Sequence, residues 1–173
     1  FFICFYFCSI KFKEMKKIIL ILLFNSLLGY SQCDYQVNNR PDGNVIKYFN
    51  PKPIIRQSGY EVGVAINYNS STKKYYINLT VLLKNINCDS VEKNLNIQLK
   101  NSTQSISLEL IQFNKTQMNN RDVMIALYEI DSRSLDLLKK YSLKTLFFSM
   151  QSKTYGSTIN ENNNLFINQL KCF

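Results

Sequence analysis

Histidine is absent from this 173-residue chain. Serine, cysteine and zinc-dependent catalysis normally recruit an imidazole as base or ligand, so those classes lose their usual apparatus. Glycine is scarce, five residues in all, and Gly43, Gly59, Gly63 and Gly156 show no phosphate-cradling spacing, which leaves nucleotide chemistry without a scaffold. No two cysteines stand in the CxxC spacing of a zinc or haem site. Asp131 to Asp136 lacks the ligand spacing and the glycine of a calcium loop. The sequence thus asks for no cofactor and no metal, and it reads as non-enzymatic.

Long basic runs are missing too. Lysine and arginine outnumber aspartate and glutamate by 21 to 12, yet they come singly or in pairs such as Lys73-Lys74 and Lys139-Lys140. Tracking a phosphate backbone takes a run or a helical stripe, so no nucleic-acid partner is expected. The abundance of Asn, Lys and Ile fits a coding sequence rich in A and T, and the net positive charge leaves room for a weak attraction to an anionic surface.

What is present begins at Met15, with MKKIILILLFNSLLGYSQCDYQ. Lys16 and Lys17 make a positive n-region, Ile18 to Gly29 an apolar h-region, and Gly29-Tyr30-Ser31 the small-x-small pattern of a cleavage site. Residues 1–14 then read as an upstream segment that is not translated, 15–31 as a signal peptide cut after Ser31, and 32–173 as a single domain of 142 residues. Its 17 basic and 11 acidic residues give a net charge of +6. A membrane anchor is disfavoured by Lys11, Lys13, Glu14, Lys16 and Lys17, which interrupt the apolar residues, and no span is expected in the mature chain. Acylation of Cys33 is a further alternative, although Gln32 and Tyr30 stand where a lipoprotein signal prefers small and branched apolar residues. The expected location is the periplasm or the outside of the cell.

Export brings an oxidising compartment. Cys33 and Cys172 lie next to the two ends of the mature chain, and domain termini often lie close together, which predicts a disulfide between them. Cys88 is left over, with Asp89 beside it to raise its pKa and no imidazole to activate it, so it reads as a half-buried loop cysteine.

Period-two alternation dominates the rest. Tyr60, Val62, Val64 and Ile66 share a face; after the NSSTKK loop, so do Tyr75, Ile77, Leu79, Val81 and Leu83. NLNIQLK turns Leu95, Ile97 and Leu99 inward and opens a hairpin over residues 94–112. RDVMIALYEI is apolar on both sides, the mark of a central strand. DSRSLDLLKKYSLK changes period and predicts a short helix capped by Asp131 or Ser132. TLFFSMQ and TYGST return to strand, and LFINQLKCF fits a last helical turn, with a strand as the other reading. Pro51 and Pro53 place VIKYFNPKPIIRQSGYEVGVA at a sheet edge. About eight strands with one or two short helices near the C-terminus predict a mainly β, two-layer antiparallel β-sandwich.

Few side chains offer chemistry. Glu129 and Asp131, with Glu109 as a third, are the candidate carboxylate pair of a carbohydrate-cleaving domain, though Asp131 is explained as a cap and Glu109 falls on the polar side of its strand. Among Tyr48, Phe49, Tyr60, Tyr75 and Tyr76, most should fill the core; Tyr76 alternates to the opposite face from Tyr75 and Ile77 and is a candidate for binding. Arg56 can pair bidentately with a carboxylate or serve as a charge that protects the edge. The Lys-Lys start, the ending GYSQ, and the segments YFNPKPIIRQSGYEVGVA and LFINQLKCF resemble small exported proteins of flavobacteria and their relatives, a family to which no activity attaches. That likeness implies export and a β fold. The expected role is binding of a protein or an envelope component at Arg56 and Tyr76, with a carbohydrate-binding or carbohydrate-cleaving domain and a lipid-anchored protein as alternatives.

Overall fold

Alternation turns into strands almost everywhere it occurs. The computed structural model describes residues 33–84, 90–91, 94–119 and 121–173; the leader and the segment before it, and Cys88, lie outside the described residues. Two compact units divide the chain, and the one detailed below is Asp34–Phe173. Its strands are β1 (Gln36–Asn39), β2 (Val45–Tyr48), β3 (Lys52–Arg56), β4 (Tyr60–Asn69), β5 (Lys74–Leu83), β6 (Asn94–Leu99), β7 (Ser105–Met118), β8 (Arg121–Ile130), β9 (Leu143–Met150) and β10 (Lys153–Thr158). Helix α1 spans Ser132–Lys140, and α2 spans Leu165–Leu170.

The protein is mainly β, as expected, with every strand pair antiparallel. The path runs β1-β2-β4-β5-β8-β7-β6-β9-β10, with β3 also on β4. Among the described residues ten strands replace the eight read from the sequence: β1, four residues long, is too short to display a period, and the edge stretch from Val45 divides into β2 and β3, while its last residues open β4, which has partners on both sides. The second hairpin is also longer than 94–112. The first half of β7 pairs with β6 up to Glu109, and the second half pairs with β8 from Leu110 to Met118. Between them the register shifts at Ile111, a bulge residue that is 51% exposed. A bulge bends its strand and raises the local twist. This one lets a single strand serve both layers, so the sandwich is one continuous sheet folded over at β7.

The fold buries the face predicted. Val62, Val64 and Ile66 pair with Val81, Leu79 and Ile77, and those in turn with Met124, Ala126 and Tyr128. All nine are buried, and they join Leu95, Ile97, Leu99, Leu146 and Phe148 of the second layer in one cluster. Each fully buried Ile or Leu removed from water contributes about 1.5–3 kcal/mol before entropy is charged against it. Tyr128 has 0% of its surface exposed, and its hydroxyl has no hydrogen-bond partner among the described residues; burial pushes the phenol well above its usual pKa.

Three tertiary devices position the rest. β2 pairs with Asn67 to Asn69 and β3 with Glu61 to Val64, leaving a gap at Ala65 and Ile66 on the β4 edge. Gln169 of α2 fills it: its Oε1 accepts the Ile66 N–H at 2.8 Å, while the Ile66 carbonyl accepts from Phe49 N. Across the layers, the Tyr60 hydroxyl accepts the Gly156 N–H at 3.1 Å and donates to the Gly156 carbonyl at 3.3 Å. Finally, a disulfide joins Cys33 to Cys172, the pairing that the position of the termini predicted.

Helix α1 starts where the sequence placed its cap. Asp131 Oδ1 accepts from Ser134 N at 2.9 Å, and Ser134 Oγ donates to Asp131 Oδ2 at 2.7 Å. Those two bonds hold the carboxyl below the ordinary aspartate value. A group whose folded pKa is depressed stabilises above its unfolded pKa and loses that contribution as pH falls through the folded value. Asp131→Ala is accordingly expected to cost about 1 kcal/mol near neutral pH. Urea titrations should show the difference from the parent shrinking below about pH 4, as the aspartate of the parent protonates in both states.

Candidate binding surface

Residues opposite one another on paired strands share a face. Opposite the core, the large layer therefore presents Tyr76, Asn78, Thr80 and Leu82 of β5 beside Glu129, Leu127, Ile125 and Val123 of β8. Gln112, Asn114 and Thr116 of β7 continue the rows past β8, and Asn67 and Ala65 continue them on β4. An antiparallel sheet with one solvated face normally turns polar residues outward. Here β8 instead carries the apolar run Val123, Ile125 and Leu127, with Leu82 abreast of Val123; Val123 and Ala65 are buried, while Ile125 and Leu127 are half-buried. Central position explains why both sides of β8 are apolar in part; the stripe on the outer side also suits it for contact with something beyond the fold.

Tyr76 sits where alternation put it, on this outer face, abreast of Asn67 and Glu129 and half-buried among its neighbours. Arg56 does not join it. Arg56 lies abreast of Glu61, six residues along β4 from the Asn67 that Tyr76 faces, or about 20 Å at the usual strand rise. The Arg56 guanidinium, 57% exposed, already has carboxylate partners within the chain. Its NH1 meets Glu61 Oε2 at 2.9 Å and its Nε meets Glu161 Oε1 at 2.8 Å. The segment after β10 folds back on this edge, and Asn162 Nδ2 donates to the Pro53 carbonyl at 2.7 Å. The bidentate chemistry read from the sequence is thus satisfied within the chain, and the edge at Pro51 to Arg56 is clasped by residues 161–162. Sequence reasoning could not find this, because Glu161 and Asn162 lie in a polar loop more than a hundred positions away.

The three singled-out carboxylates do come together. Glu109, Glu129 and Asp131 line one open groove of about 390 Å³ with Ser107 and Ile111. Two of them are already engaged: Glu129 Oε1 lies 2.8 Å from Lys74 Nζ, and Asp131 caps α1. A general acid needs a raised pKa, and that of Asp131 is lowered. The groove gathers negative charge without forming the acid half of a hydrolytic pair at Asp131. Among the described residues no group of three or more His, Cys, Asp or Glu is placed to hold a metal ion, and none of the described helices is long and apolar enough to cross a membrane.

The aromatic residues divide as the alternation suggested. Phe49 is buried, and Tyr60 and Tyr75 pack against the core. Tyr35, Phe49, Tyr68, Tyr75 and Phe173 form a cluster with ring centroids 4.6–6.3 Å apart in contacting pairs. In comparisons with protein-family models, curated proteins and solved structures, the chain matches none.

Proposed function

We propose that this is an exported, non-enzymatic β-sandwich that binds a protein or another envelope component through the outer face of its large layer, centred on Tyr76 and the β8 stripe. The observation that supports this reading is the half-buried apolar pair Ile125 and Leu127 on the side of β8 turned away from the core, next to the half-buried Tyr76. Tyr76 beside it offers a rigid ring with a polar tip, the side-chain type enriched at protein interfaces. Polar Asn67, Asn78, Gln112 and Asn114 surround the stripe, as a rim surrounds an apolar centre.

Affinity capture from envelope extract tests the assignment. Tyr76→Ala and Ile125→Lys are expected to lower recovery of a specific partner at least tenfold while leaving the melting temperature within a few degrees of the parent, because both side chains point away from the core. Arg56→Ala, about 20 Å away by strand geometry, should leave recovery unchanged. Full recovery with the Tyr76 and Ile125 variants would move the binding surface elsewhere.

A carbohydrate-binding role is the second reading, favoured by the uncharged amides and hydroxyls of Asn67, Asn78, Thr80, Gln112 and Asn114 around one tyrosine. Hits on a glycan array that disappear with Tyr76→Ala would select it. The lipid-anchored alternative needs a free sulfur at Cys33, and that sulfur is in the disulfide.

A further inference from the structure

Cations scattered in the sequence are gathered at one end of the fold. The Lys100 N–H, in the turn after β6, donates to the Ser142 carbonyl at 2.8 Å. Ser142 follows the α1 terminus, so Lys139 and Lys140 lie three and two residues before it, and Lys144 lies two residues after it. Lys144 is the residue skipped where the β6–β9 register shifts, since Gln98 pairs with Thr145 and Leu99 with Leu143. Bulges re-aim side chains, and the Lys144 side chain is exposed. None of these four lysines forms a salt bridge with a described residue. Elsewhere Arg56, Lys74 and Lys115 are all paired with carboxylates.

This end also has an amphipathic concavity. An open groove of about 580 Å³ runs along α1, with Arg133 and Lys140 seven residues apart on one helical face and half-buried Leu137 and Tyr141 between and beside them. Lys140 Nζ stands 5.1 Å from the centre of the Tyr141 ring, and Lys139 Nζ stands 5.9 Å from that of Tyr75, so aromatic faces hold both ammonium groups near the body. One acidic residue, Asp136, also lines the groove.

We infer that this end of the molecule docks on an anionic phospholipid surface, with Lys100, Lys139, Lys140, Lys144 and Arg133 over the phosphates and Tyr141 with Leu137 at the headgroup boundary. Charge complementarity argues for the phosphates, and the tyrosine with its apolar neighbour argues for a lipid rather than a dissolved polyanion, since aromatic rings with a polar tip favour the membrane interface. The site is separate from the outer sheet face, so either assignment can fail without the other.

Vesicle co-sedimentation with the exported chain, disulfide intact, is the test. Vesicles of phosphatidylcholine with 30% phosphatidylglycerol should bind the protein at low salt and release it at 0.5 M salt, and pure phosphatidylcholine should not bind it. Each lysine near an anionic surface is worth about fivefold in partitioning, so Lys100→Gln, Lys140→Gln and Lys144→Gln together should weaken binding about a hundredfold. A triple control at Lys52, Lys84 and Lys153, which lie on β3, just past the far end of β5 and on β10, should change binding much less. Equal losses in the two triples, equal binding to both vesicle types, or capture by heparin or inorganic phosphate without vesicle binding would each overturn the inference.

Discussion

Gly156→Ala is expected to destabilise the protein by at least about 3 kcal/mol, enough to consume much of the stability of a domain this size. Two independent penalties meet there. The backbone has φ of +132°, a region that side-chain-bearing residues rarely adopt. An added Cβ would stand 2.0 Å from the Leu146 carbonyl oxygen and 2.8 Å from the Phe147 Cα. Both obstacles belong to the main chain of β9, which is paired with β10 through Phe147 and Gly156, so neither can swing aside as a flexible side chain would. Relief requires the two strands to part, and the same movement would strain the two Tyr60 hydrogen bonds that tie Gly156 to the other layer. Gly43→Ala separates the causes, because φ there is +82° and nothing lies within 4 Å of the new methyl. It should cost about 1–2 kcal/mol, the conformational part alone. Denaturant titration of both variants measures the difference, and a Gly156→Ala protein as stable as Gly43→Ala would remove the steric argument.

Cys172→Ser is expected to lower the melting temperature by about 10–15 °C, and reductant should do the same to the parent. Cys33 and Cys172 enclose about 140 residues, and the chain-entropy account assigns a loop of that size about 4–5 kcal/mol as an upper figure. At the roughly 3 °C per kcal/mol typical of a domain this long, that gives the shift stated. Local packing adds to it. Phe173, the residue after Cys172, lies 5.4 Å from Phe49, 5.4 Å from Tyr68 and 5.6 Å from Tyr35 by ring centroid. Releasing Cys172 frees that ring to leave its aromatic neighbours. Cys33→Ser should match Cys172→Ser, and the double variant should be no worse than either, since one bond is lost in all three. A denatured, unreduced preparation of residues 32–173 should titrate as one thiol, Cys88; three thiols would contradict the bond.

Much of the fold was legible because local pattern and final burial agree. Leu95, Ile97 and Leu99 alternate with polar residues and are all buried, and the same holds from Ile77 to Val81. Asp131 was legible as a cap because capping needs only neighbours three residues away. Ile111 was not legible as a bulge, since nothing within β7 says that its two halves will meet different partners. β1 passed unnoticed because four residues cannot establish a period, and Gln169 because its value depends on a gap between two other strands. Arg56 was legible as a partner for carboxylates, while the identity of those carboxylates was not.

Hydrophobic alternation, cap chemistry and cysteine placement are properties of neighbours along the chain, and by themselves they determined the β class, the buried face of each long strand, the start of α1 and the terminal disulfide. Tertiary structure alone decided that one bent strand joins both layers, that Arg56 is consumed by Glu61 and Glu161, and that four lysines from three segments meet around Ser142. The reason is that pairing across a sheet, and the charges it brings together, depend on residues tens of positions apart, whose meeting is set by the packing of the whole molecule rather than by any local preference.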